Sequence, residues 1–271
     1  MNRITKILVV VFSLSLGNSF IFAEGVPTKP FEVDEHTLFL CHFDKEDFTA
    51  DYAKGEKEPL KVENVYLDEG KFGNCLCIEK GKEDKDKAMR ITYSLKDNIN
   101  LKQGTIEFWI APHTDLNILP LPTYFQVYNI GMYNPETKSY GFGYCRFNQW
   151  GSLQVVLSDT MLGGKGTASR GRRVDFNLPV KKWRAYEWHY IKITWGEKGC
   201  AMYVDGELAK GEWSYRGKEN AKGKGEFFLP YPLGIDNSKV KLHSFIIGPD
   251  KNQYGFGYSI DELRISDIIR E

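Results

Sequence analysis

The segment Gly104-Thr105-Ile106-Glu107-Phe108-Trp109-Ile110 constrains this chain more than any other. Its residues alternate with a period of two. That puts Ile106, Phe108 and Ile110 on one side of an extended strand and Thr105, Glu107 and Trp109 on the other. Similar segments recur at 37–44, 73–79, 88–93, 124–133, 140–146, 152–158, 187–195, 200–204, 243–248 and 258–265. Glycine-rich or charged turns separate them, which is the signature of strands. The charged stretches 45–62 and 216–226 read as loops, and so does the glycine- and base-rich stretch 161–173. No long amphipathic helical pattern occurs. Glycine supplies 26 of 271 residues and aromatics 14%, a balance suited to strands joined by tight turns. Two sheets stacked face to face let each strand bury one side. A single all-β, two-sheet antiparallel sandwich is therefore expected over 37–271, with 24–36 as a leader containing Pro27 and Pro30.

The first 23 residues read as an address. Arg3 and Lys6 precede an apolar run from Ile7 to Leu16, and small Ala23 closes the segment. This is the pattern of a secretory signal peptide, with cleavage after Ala23. The apolar stretch only reaches the lower limit of about 17 residues for a membrane span, and polar residues interrupt it. A secreted or periplasmic protein without a membrane span is expected. The whole chain carries 36 basic and 36 acidic groups. A general nucleic-acid or membrane-surface binder would show a basic excess, so neither class is favoured. The five cysteines, Cys41, Cys75, Cys77, Cys145 and Cys200, are odd in number, so at least one thiol stays unpaired. Cys75 and Cys77 share one side of a strand, where extended geometry holds their α-carbons near the upper limit of roughly 7 Å for a bridge. They read as small buried side chains, with one bridge elsewhere left open.

Six fragments in order resemble the laminin-G-like, concanavalin-A-like jelly-roll family. They are Leu38-Phe39-Leu40-Cys41-His42-Phe43-Asp44, the segment Gly70-Lys71-Phe72-Gly73 with Asn74–Ile78, Gly104–Pro112, Glu187–Trp195, Met202-Tyr203-Val204-Asp205-Gly206-Glu207, and Ile247-Gly248 followed by Ser259-Ile260-Asp261-Glu262-Leu263-Arg264-Ile265-Ser266. Together they cover nearly the whole chain beyond the leader. The resemblance implies two curved antiparallel sheets with the first and last strands close together. It also implies a structural calcium ion held by Asp261 of the closing strand, with Asp44 and a carbonyl near Gly73 as helpers. Calcium takes six to eight oxygens, so carboxylates, carbonyls and water together suit it. This architecture serves lectins, glycosidases, lyases and adhesion modules alike, so function has to come from the site.

Catalytic signatures are missing. A retaining glycosidase needs two carboxyl groups roughly 5–5.5 Å apart, and alternation supplies them as Glu-x-Asp-x-Glu, which no strand carries. Asp261 and Glu262 are adjacent, so alternation sends them to opposite sides. The five histidines show no HExxH spacing, and neither a GxSxG elbow nor a complete phosphate-binding loop is present. No catalytic residue is assigned.

Glycan recognition needs aromatic faces beside planar hydrogen-bonding groups. Tyr140, Phe142, Tyr144, Arg146 and Asn148 share a side by alternation, Trp150 sits at the following turn, and Tyr124 and Tyr128 form a parallel set. Phe142 is assigned to the core. Tyr144, Arg146, Trp150 and Tyr128 are the candidate ligand-binding residues. Arg170, Arg172, Arg173, Lys181, Lys182 and Arg184 form a basic run with only Asp175 opposing, and read as a solvated face. The sequence thus points to an exported, non-catalytic carbohydrate-binding module. A polysaccharide hydrolase or lyase, and an adhesion module binding an extracellular protein, stand as alternatives.

Overall fold

The computed structural model describes residues 25–79, 81–117, 125–134, 139–140, 142–159, 172–217, 219–249, 251, 253 and 255–270. The expected signal peptide, residues 1–23, lies outside these residues, as do Tyr124, Arg170 and most of 161–173. Strands are numbered in chain order. One sheet runs β15 (Glu207–Leu208), β14 (Gly199–Val204), β13 (His189–Gly196), β7 (Gly104–Pro112), β20 (Tyr258–Ser266), β1 (Thr37–Cys41) and β2 (Tyr52–Ala53). In the same sheet β5 (Asn74–Ile78) pairs with β20, β4 (Tyr66–Glu69) with β5, and β18 (Phe228–Leu229) with β14. The second sheet runs β17 (Ala221–Glu226), β16 (Lys210–Arg216), β12 (Arg173–Pro179), β11 (Ser152–Ser158), β10 (Gly143–Asn148), β8 (Phe125–Asn134), β19 (Lys241–Ile247), β6 (Arg90–Ser94) and β3 (Lys61–Glu63), with β9 (Ser139–Tyr140) beside β8. Every ladder between described strands is antiparallel. The opening and closing strands are neighbours, with Phe39 opposite Ile265.

Alternation sorts the faces as expected. Ile106, Phe108 and Ile110 of β7 are fully buried, and so are Val155 and Leu157 of β11. The sheets interlock through aromatic pairs, Phe142 against Trp195 at 5.5 Å and Phe108 against Tyr128 at 5.9 Å. Each such side chain stabilises the fold by about 1.5–3 kcal/mol through burial. All five cysteines are free and buried. Among the described residues no helix is long and apolar enough to cross a membrane.

Three features depart from the sequence reading. The stretch 45–62 holds β2 and the start of β3, and 216–226 holds β17. Strand β17 has no apolar face to announce it. It forms because β16 offers an unpaired edge, and Lys222 and Lys224 suit an exposed edge strand. Lys224 also meets Glu212 at 2.6 Å. Second, Asp261 and Glu262 do not point to opposite sides. The β7–β20 ladder slips between Asp261 and Arg264, and Glu262 takes a positive φ of 53°. The bulge turns both carboxylates away from the core while Leu263 still enters it. Third, the leader is docked. Phe31 is buried with Leu40, Trp109 and Tyr190 on the outer face of the first sheet, and its N–H donates to Glu262 Oε2 at 2.6 Å.

Candidate functional site

Strand β10 carries the expected face. Cys145 and Phe147 enter the core, leaving Tyr144 and Arg146 half-buried on the outer side of the second sheet. Tyr144 lies between Asn129 on β8 and Val156 on β11, and Arg146 between Gln126 and Gln154. Gln154 in turn pairs with Asn177 on β12. Gln126, Arg146, Gln154 and Asn177 therefore form a row of planar hydrogen-bonding side chains across four strands.

The row is braced. Arg146 Nε donates to Gln154 Oε1 at 2.8 Å, and its guanidinium lies 4.6 Å above the Tyr144 ring. Gln154 Nε2 donates to Asp175 Oδ1 at 3.4 Å. Arg173 grips the same carboxylate, with Nε on Oδ2 at 2.7 Å, and reaches the Tyr144 hydroxyl at 3.4 Å. Ser214 Oγ donates to Asp175 Oδ2 at 3.4 Å. Burial works against the Arg173 charge, but the Asp175 carboxylate outweighs it and raises the guanidinium's pKa. A planar cation held by a neighbouring amide and stacked on a ring has lost much of its rotamer freedom before any ligand arrives.

The turn after β10 is built by one side chain. Asn148 Oδ1 accepts the N–H groups of Trp150 at 3.0 Å and Ser152 at 3.2 Å. This Asx-type turn holds Trp150 outward, with 59% of its surface exposed. Two residues of extended chain separate Arg146 from Asn148, about 7 Å, so Trp150 stands at the hairpin end of the strand that carries Arg146.

Tyr128 does not join this face. It has no exposed surface and packs against Phe108 and Phe245 in the core. The cause is a register slip in β8. Cys145 pairs with Tyr128 but the next residue, Arg146, pairs with Gln126, so Val127 and Tyr128 both turn inward. Phe142 is in the core as assigned, and so does not share the outward side of Tyr144 and Arg146 that alternation gave it. The side chain of Tyr140 lies outside the described residues. Three of the six residues of the basic run are paired with carboxylates, Arg172 with Asp159 at 2.5 Å, Arg173 with Asp175, and Arg184 with Asp115 at 3.1 Å. Sequence reasoning missed Gln154, Arg173, Asp175 and Ser214 as partners, because their meeting depends on the order of strands across the sheet.

Asp44 and Asp261 meet at one turn. Asp261 Oδ2 accepts Phe72 N–H at 2.9 Å and its Oδ1 accepts Glu262 N–H at 2.7 Å, while Asp44 Oδ1 accepts Asn74 N–H at 2.7 Å. The two carboxylates clamp the turn 70–74 from either end. Only glycine fits there. A Cβ on Gly70 would stand 2.7 Å from Asp261 Oδ2, and one on Gly73, at φ +74°, 2.3 Å from Asp44 Oδ1. Burial pushes the Asp261 carboxyl up to about 7, against the pull of these N–H donors. Among the described residues no three His, Cys, Asp or Glu side chains converge as a metal-holding group.

No protein-family profile matches the chain, and no curated protein matches it in sequence. Solved structures do resemble it. The binding domain of Paraclostridial Mosquitocidal Protein 1 shares 15% identity at a TM-score of 0.55, over 87% of this chain and 50% of that one. The botulinum neurotoxin serotype D binding domain shares 14% identity at a TM-score of 0.54, over 87% and 49%. The serotype D ligand binding domain solved in complex with N-acetylneuraminic acid gives 14% identity and a TM-score of 0.54, over 87% and 48%. The chain thus spans about half the length of the structures it matches. At such identities the likeness establishes the fold, a two-sheet antiparallel β-sandwich of the kind found in these binding domains.

Proposed function

We propose that this protein is an exported, non-catalytic carbohydrate-binding module of the laminin-G-like, concanavalin-A-like kind, and that it binds glycan across the outer face of β10 and its hairpin with β11. The observation that carries this reading is the pre-organised Arg146, stacked on Tyr144 and held by Gln154, with an exposed Trp150 at the turn that ends the same strand. An indole face stacks on the apolar face of a sugar ring, while guanidinium and amide groups donate to its hydroxyls. The resemblance to toxin binding domains, one of them solved with N-acetylneuraminic acid, supports the reading. An acidic sugar would suit Arg146.

A glycan array probed with the full chain tests it. A hit is then measured by titration with Trp150→Ala and Arg146→Ala. Each substitution is expected to weaken binding by about tenfold or more, which is about 1.4 kcal/mol. Trp150→Ala should leave Tm unchanged, since the side chain is exposed. Undiminished affinity in both variants would refute this face. Failure of every glycan, with capture of an extracellular protein that Trp150→Ala abolishes, would turn the same surface into an adhesion site; one neighbour is described as a receptor binding domain.

A further inference from the structure

On the other sheet, far along the chain from that face, a hydrogen-bonded line of side chains ends in two thiols. Glu79 Oε1 lies 3.0 Å from His113 Nδ1, and His113 Nε2 lies 2.8 Å from Ser259 Oγ. Ser259 Oγ lies 3.2 Å from Cys77 Sγ, which lies 3.7 Å from Cys75 Sγ. Adjacent strands place these groups. Cys75 and Cys77 are two apart on β5, so both point outward, and Ser259 is the ladder partner of Cys77 on β20. His113 follows β7 directly and is fixed by a stacked Tyr186 at 5.3 Å. Cys77, Ser259, His113 and Glu79 line a cavity of about 290 Å³. Its other walls are aromatic, from Tyr66, Tyr186 and Trp188, and acidic, from Asp68 and Glu69.

We propose that Cys77 and Cys75 form a thiol–disulfide exchange site that takes a small cationic disulfide through this cavity. Acidic and aromatic walls select a cation. With Nδ1–H given to Glu79, His113 Nε2 accepts the Ser259 hydroxyl, which leaves Ser259 Oγ to accept from the Cys77 thiol. Hydrogen bonding with the Cys75 thiol pulls the Cys77 pKa below its ordinary range, and His113 adds to this; the same bond, with burial, pushes Cys75 up. Cys77 lines the cavity and Cys75 does not, so Cys77 is the attacking group. Its proton passes through Ser259 to His113, and its thiolate sulfur bonds to one sulfur of the substrate disulfide. The substrate S–S bond breaks, and the departing thiolate takes the proton back from His113. Cys75 then attacks Cys77 Sγ, forming the Cys75–Cys77 disulfide and expelling the second thiolate, which leaves with the Cys75 proton. The protein dithiol loses two electrons and the substrate disulfide gains them, releasing two thiols. Residues two apart on a strand hold their α-carbons near the upper limit for a bridge, so an excess of the substrate disulfide drives the Cys75–Cys77 product to form.

The ionisable groups around Cys77 are Cys75 on its own strand, Glu79 just beyond that strand, Tyr66, Asp68 and Glu69 on β4, His113, Tyr186, and Asp261 beyond Ser259. Of these eight, His113 alone can carry positive charge. The test incubates the reduced full chain with cystamine and maps every cysteine by acid quench, alkylation and peptide mass. The wild type is expected to end with a Cys75–Cys77 disulfide, Cys75→Ser to stop at a mixed disulfide on Cys77, and Cys77→Ser to give neither. His113→Gln, which keeps both thiols, should slow the reaction about tenfold or more near pH 6 and much less near pH 9, because only the thiolate reacts. An anionic disulfide such as dithiodiglycolate should react more slowly than cystamine. The proposal is overturned if Cys41, Cys145 or Cys200 reacts as fast as Cys77, if Cys75→Ser and wild type give the same adduct, if His113→Gln leaves the pH profile unmoved, or if the anionic disulfide is preferred.

Discussion

The bulge at Asp261 and Glu262 gives this fold a pH signature that can be worked out. Asp261 is fully buried, and burial lifts its pKa from the ordinary 3.8 to about 7. Between those two values the folded chain holds a proton that the unfolded chain has released. Stability therefore falls as pH rises through the window, by about 1.4 kcal/mol per unit. Between pH 5 and pH 8 the loss from this group is about 2.5 kcal/mol. His42 acts in the same direction. Its pKa is raised by the hydrogen bond to Glu262 Oε1 at 2.7 Å, so its contribution is full below the unfolded value of 6.5 and lost as pH climbs through the folded one. Asp34 runs the other way. The Arg270 guanidinium lowers its pKa, so its contribution is lost only in acid, below the window. The perturbation is Asp261→Asn, which cannot ionise. Urea unfolding of wild type and variant at pH 5 and pH 8 gives four stabilities. The wild type should lose about 2.5 kcal/mol more than the variant over this range. Groups remote from Asp261 contribute equally to both proteins and cancel in the difference. Equal losses in the two proteins would refute the assignment of a raised pKa to Asp261.

Two further outcomes follow from single atoms. The Tyr128 hydroxyl is buried with no hydrogen-bond partner among the described residues, so Tyr128→Phe should stabilise the fold by about 1 kcal/mol, a rise of about 2–4 °C in Tm; a fall would mean that the hydroxyl is satisfied in solution. The calcium ion implied at Asp261 and Asp44, which meet at the turn 70–74, should raise Tm in calcium over chelator, since a ligand held only by the folded state must stabilise it, and equal Tm in the two would refute it.

The sandwich was legible because one face of most strands is apolar and the other is not. Ile106, Phe108 and Ile110 announce β7, and alternation alone decides which way they face. The errors fall where the period of two is broken or where pairing supplies what sequence lacks. The slip in β8 sends Tyr128 inward, and the positive φ of Glu262 returns two adjacent carboxylates to one side. Neither irregularity has a glycine to mark it. Strand β17 is drawn into the sheet by the open edge of β16 rather than by its own side chains. The same limit governs the sites. Tyr144, Arg146 and Trp150 lie within seven residues, so their shared face could be read directly from the chain. Glu79, His113 and Ser259 are far apart in sequence, and only the pairing of β20 with β5 and β7 brings them to one cavity. A local signal for that cavity did exist in the Cys75–Cys77 spacing. Two thiols on one outward side of a strand have no core to fill, so their burial has to come from whatever neighbouring strands lay over them. Here a hydroxyl and an imidazole join the aromatic side chains of the cover, and that polar line to the thiol separates a reactive pair from two inert ones.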